Sequence, residues 1–147
     1  MKLQWVNAYR DLIDSKIKSI QVEIKSLTDD AQNDAKSSSG DKHETGLAMM
    51  HLEQERLSKK WREWMVLKEQ LERIDFTKKS SKVEVGSLVK LNDSLYLIAV
   101  GLPVLEINHQ KCIGVSPKAP LILELLGKSE GEQISFNNQT FTLTELF

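Results

Sequence analysis

The chain has 147 residues, 40% of them hydrophobic and 28% charged, with a formal net charge of -1. That balance fits one globular domain or two small ones, and it argues against a surface generally attracted to nucleic acid. No apolar run approaches the ~20 residues needed to span a bilayer, and Met1-Lys2-Leu3-Gln4-Trp5 lacks the apolar core of a secretory signal. A single cysteine, Cys112, excludes an internal disulfide and suits a reducing compartment. The expectation is a soluble cytoplasmic protein.

In chain order, the first feature is a helical seam. Val6, Tyr9, Ile13, Ile17, Ile20, Ile24, Leu27, Ala31 and Ala35 follow one another in steps of three and four, which places them on one helix face. A second seam, Met50, Leu57, Trp64 and Leu71, repeats at heptad spacing, with Leu67 and Ile74 at the accompanying position and Trp61 beside it. Two seams of similar length predict an antiparallel coiled-coil hairpin over 1–77, each strip burying what the other would expose. Arms of roughly 30 residues would make it about 45 Å long at the helical rise. The core side chains shrink toward Ala31, Ala35 and Ala48, so that end is expected to be slender and weakly packed.

Between the seams lies a polar break, 37–46, with Ser37, Ser38, Ser39, Gly40 and Gly46. Serine competes for backbone hydrogen bonds and glycine costs conformational entropy, so the break reads as the tip of the hairpin. It carries two acids, Asp41 and Glu44, and their spacing has two readings. Asp41-Lys42-His43-Glu44 fits a capping box, and both acids would favour the positive end of the second helix. Carboxylates three apart at a helix start also share a face. They are too few for a tight site, but they suffice to hold a Mg²⁺ whose remaining ligands come from a partner, as in a two-metal centre for phosphodiester hydrolysis.

Other polar features have simpler readings. Trp5, Trp61 and Trp64 at helical spacing read as packing, and Arg56, Lys59, Lys60 and Arg62 as a solvated face, with nucleic-acid contact as the alternative. His43, His51 and His109 lack metal-ligand spacing.

A polar, basic linker at 78–82 precedes a change of period. Leu88, Leu91, Leu95, Leu97 and Val100 fall in short strand-like runs bounded by Gly86, Asn92-Asp93 and Gly101-Leu102-Pro103, and Cys112-Ile113-Gly114-Val115 reads as another strand. Ser116-Pro117 suggests an N-cap followed by proline at the first helical position, and Gly127 a helix stop. Gln133 to Leu143 predicts a hairpin turning at Asn137-Asn138. The fold class is therefore α+β: a helical hairpin, then an antiparallel sheet with one helix over 83–147, small but able to fold alone.

This order of parts resembles the bacterial GreA/GreB family of transcript cleavage factors over essentially the whole chain. Ser116-Pro117, Leu125-Leu126-Gly127-Lys128 and Gly131-Glu132 before a closing hairpin look like that family's FKBP-like domain, opened by Gly86-Ser87-Leu88-Val89. Gly40, Asp41 and Glu44 match the family's tip, whereas Thr45, Leu47 and Ala48 stand where it has Asn, Glu and Tyr. The resemblance implies an accessory factor rather than an enzyme in its own right. It would be a monomer that binds bacterial RNA polymerase, with no membrane contact, and enters the secondary channel tip first. Asp41 and Glu44 would then hold the second Mg²⁺ of the polymerase active site for cleavage of backtracked nascent RNA. The altered tip leaves a second expectation: a channel-binding regulator without efficient cleavage. Prolyl isomerisation, the FKBP activity, needs an aromatic-lined pocket, and beyond Val83 the aromatics are Tyr96, Phe136, Phe141 and Phe147 alone.

Overall fold

The computed structural model describes the backbone of residues 1–37 and 41–147, and the side chains of 1–33 and 45–147. Two long helices come first, α1 (Lys2–Ser37) and α2 (Asp41–Glu72). The chain divides into two compact units: Asp11–Lys68, and Met1–Arg10 together with Glu69–Phe147.

In the first unit, burial follows the seam. Ile13, Ile17 and Ile20 of α1 and Leu57 of α2 are buried, and Met50, Trp61, Trp64 and Leu67 are half-buried. The Lys68 ammonium lies 2.8 Å from Asp14 Oδ1. Gln54 Nε2 donates to Thr28 Oγ1 at 3.2 Å. From one pair to the next, residue numbers rise along α1 and fall by the same step along α2. The helices therefore run antiparallel in one register.

The second unit is built on six strands: β1 (Leu88–Leu91), β2 (Ser94–Ile98), β3 (Leu102–Ile107), β4 (Gln110–Val115), β5 (Gln133–Phe136) and β6 (Gln139–Leu146). Their order is β3-β4-β2-β1-β6-β5. Three tight reversals carry residues with positive φ: Asn92, Asn108-His109 and Asn137-Asn138. Asn tolerates that region, and two such residues in succession give the reversal whose twist matches a hairpin.

The sheet departs from the expected all-antiparallel form at one ladder. β2 and β4 are parallel, pairing Leu95 with Cys112 and Ile98 with Val115. The cause is that β3 does not lie beside β2. The chain leaves β2, crosses to the sheet edge, and returns as β4 into the space between. Gly114 permits the crossing, since a Cβ there would sit 2.6 Å from Leu102 Cβ and 2.9 Å from the Val100 carbonyl oxygen. Leu102-Pro103, expected to bound a strand, instead opens β3. Proline is tolerated because that strand is the outer edge of the sheet.

The helix α3 (Pro120–Leu125) starts later than expected, with Ala119 as N-cap and Pro120 in its first turn. Ser116 is used differently. Its Oγ accepts the Lys118 N–H and its carbonyl accepts the Ala119 N–H, closing a turn ahead of the helix. Gly127 follows α3 at φ +82°, where a glycine stop is favoured, and its N–H bonds the Val83 carbonyl.

Both faces of the sheet are buried. Val89, Leu91, Ile98, Ile134 and Leu143 form one core with Ile122 and Leu125 of α3 and with Val83. Leu88, Leu95, Leu97 and Cys112 are the alternating residues of the same ladders and are fully buried on the other side. There Tyr9 takes part: its hydroxyl lies 2.9 Å from the carbonyl oxygens of both Pro103 and Cys112. Trp5 and Val6, a turn earlier on α1, are also buried.

Candidate functional site

The candidate site is the reversal between α1 and α2. Packing thins toward it along α1. After buried Ile13, Ile17 and Ile20, residues Ile24, Leu27 and Ala31 are only half-buried, and on α2 the buried Leu57 gives way to half-buried Met50 and Leu47. Of these five residues only Ala31 is small, so short side chains do not by themselves account for the thinning. Ala48, expected in the seam, is exposed.

Asp41 is the first residue of α2 and Glu44 falls in its first turn. Their side chains lie outside the described residues, as do those of Lys42 and His43 and all of Ser38, Ser39 and Gly40. Backbone spacing therefore brings the two acids onto one turn at the positive end of a 32-residue helix. Chemically the pair offers hard carboxylate oxygens, which suit Mg²⁺ more than a soft metal. Among the described residues no three His, Cys, Asp or Glu side chains gather in a way that would hold a metal ion, and no helix is long and apolar enough to cross a membrane.

The basic cluster of α2 is partly neutralised within its own helix. Arg56 Nε donates to Glu53 Oε2 at 2.8 Å, which holds the Glu53 carboxyl below its usual range. Lys59, Lys60 and Arg62 are exposed. Of the three tryptophans, Trp5 is 2% exposed and so closed to stacking, while Trp61 and Trp64 are half-buried along the helix pair. Among the described residues Trp61 Nε1 is buried without a hydrogen-bond partner, which costs about 1–3 kcal/mol.

One feature near the turn was not singled out by sequence reasoning. Met49 and Leu52 are 68% and 66% exposed, an apolar face of α2 directed to solvent. Their signal was present in the sequence, because neither position falls on the seam. At Gly46 an added Cβ would meet, among the described residues, no atom within 4 Å beyond its chain neighbours and its own helix backbone. No family model, curated protein or solved structure matches the chain.

Proposed function

We propose that this protein acts on bacterial RNA polymerase as a Gre-like transcription factor, entering the secondary channel with the α1–α2 reversal. Asp41 and Glu44 would hold the second Mg²⁺ there, and cleavage of backtracked RNA would follow. The observation that carries the reading is local: a thinly packed antiparallel helix pair reverses at the acids, with Asp41 opening α2 and Glu44 on the same turn. Two carboxylates are too few to retain Mg²⁺ alone but enough to complete a site that a partner supplies in part. Bound there, the ion would supply an activated water for hydrolysis of the phosphodiester. Asp41 and Glu44 would help to position that ion and balance its charge. The α+β architecture and the sequence resemblance support the assignment.

A second reading has its own support. Where the family carries a Tyr at the tip, this chain has exposed Ala48, and where it carries a third acid it has half-buried Leu47. A factor so altered would occupy the channel and change initiation or pausing without efficient cleavage.

The test is RNA cleavage in a reconstituted backtracked elongation complex with Mg²⁺. It compares the native protein, the double substitution Asp41→Asn with Glu44→Gln, and no factor. The amides retain capping capacity and remove the anionic ligands. Cleavage is expected to rise with the native protein and to fall at least about tenfold with the amides, the factor given by ~1.4 kcal/mol of lost transition-state stabilisation. Binding to polymerase without cleavage would favour the channel-occupying regulator. Absence of both would dismiss the two readings together.

A further inference from the structure

In the sheet-containing unit, the start of α1, the segment after α2 and the end of β6 enclose a cleft of about 620 Å³. That size lies within the range of small-molecule sites, which are typically apolar with a few polar groups. Leu3, Phe76, Leu146 and Phe147 supply the apolar walls, while Lys2 and Lys79 are the charged side chains of the lining, with no carboxylate side chain among them. The two hydroxyls of the lining are committed to the chain itself. Thr77 Oγ1 donates to Asp75 Oδ1 at 2.5 Å, and Ser80 Oγ accepts the Lys82 N–H at 3.2 Å. Lys2 Nζ donates to the Lys78 carbonyl at 2.9 Å, which uses one of its three protons. Its charge also faces Asp75 and Glu84. Lys79 has no such compensation: among the described residues it joins no hydrogen bond or ion pair.

We propose that this cleft binds a small amphipathic carboxylate, a straight-chain or aryl acid. Its apolar body would lie on Phe76, Leu146 and Phe147, and its carboxylate would meet Lys79 and the remaining protons of Lys2. The two lysine side chains of the lining favour an anion. The concave apolar walls select one with a hydrocarbon body, so inorganic anions and acetate lack the contacts and an alkylammonium meets like charge. Such a site stands whether or not the helical reversal acts on a polymerase.

The experiment titrates the full chain with decanoate, decanol and acetate below micellar concentrations, read by amide NMR shifts. Decanoate is expected to saturate, with the largest shifts at Leu3, Thr77 and Leu146, and acetate to produce none there. Because Lys79 is exposed, Lys79→Glu keeps the fold and is expected to weaken decanoate about two- to fivefold, the scale of one exposed ion pair, while decanol is unchanged. Lys2→Gln provides an independent variant with the same expected direction. Non-saturable binding, shifts centred elsewhere, equal affinity for decanol, or indifference of decanoate to both substitutions would each overturn the assignment.

Discussion

The Tyr9 hydroxyl has one proton and two carbonyl oxygens within 2.9 Å, at Pro103 and Cys112. Burial, and then the neighbouring Cys112, push its ionisation well above the usual phenol range. Tyr9→Phe leaves two carbonyls facing an apolar ring edge, and is expected to cost about 1–3 kcal/mol in chemical denaturation. Burial also pushes the Cys112 thiol up to about 11. The folded state thus favours the neutral thiol. Its contribution to stability is complete below the unfolded value of about 8.5 and is lost as pH rises toward the folded one. Urea midpoints of the native protein should therefore fall more steeply above pH ~9 than those of Cys112→Ala. Equal slopes would mean that the thiol is not held neutral by folding. Gly114 is constrained by space. An added Cβ would meet Leu102 Cβ at 2.6 Å and backbone at 2.9 Å, so Gly114→Ala is expected to cost about 1–3 kcal/mol by overpacking. An unchanged thermal midpoint would show that the crossing strand segment gives way.

At the scale of elements, the helix pair is held by its seam rather than by its ion pairs. Asp14 and Lys68 are about half exposed, 58% and 45%, and an exposed pair contributes at most about 1 kcal/mol. Leu57 is 2% exposed, and truncating a buried leucine leaves a cavity. Leu57→Ala is therefore expected to cost about 2–5 kcal/mol in thermal or urea unfolding, against under ~1 kcal/mol for Lys68→Ala. The reverse ranking would place the stabilisation in the electrostatic contacts. In the sheet, the reversals at Asn108-His109 and Asn137-Asn138 set hairpin register locally. The β2–β4 ladder instead brings Leu95 to Cys112 across an intervening hairpin, and no local turn specifies it.

For the whole molecule, the compact unit that contains the sheet takes in Met1–Arg10 and Glu69–Lys82 as well as residues from Val83 onward. A fragment starting at Val83 loses Tyr9 from the face that buries Leu88, Leu95, Leu97 and Cys112. It is expected to unfold at lower temperature and with less cooperativity than the full chain. A sharp transition at the full-length midpoint would show that the sheet needs no helix on that side. The sequence by itself determined the two helices, the reversal between them, the Asn137-Asn138 hairpin and the glycine stop at Gly127. Each of these rests on periodicity or turn chemistry confined to neighbouring residues. It also fixed the positions of Asp41 and Glu44 at the start of α2, although not how their carboxylates point. Tertiary structure alone decided that β3 begins at Leu102 with Pro103 inside it, that β4 enters parallel to β2, and that Tyr9 completes a sheet core. Those outcomes depend on contacts between residues 94 and 103 positions apart, such as Tyr9 with Pro103 and Cys112. A contact at that separation is selected by packing against the rest of the fold, and it leaves no periodic mark on the chain.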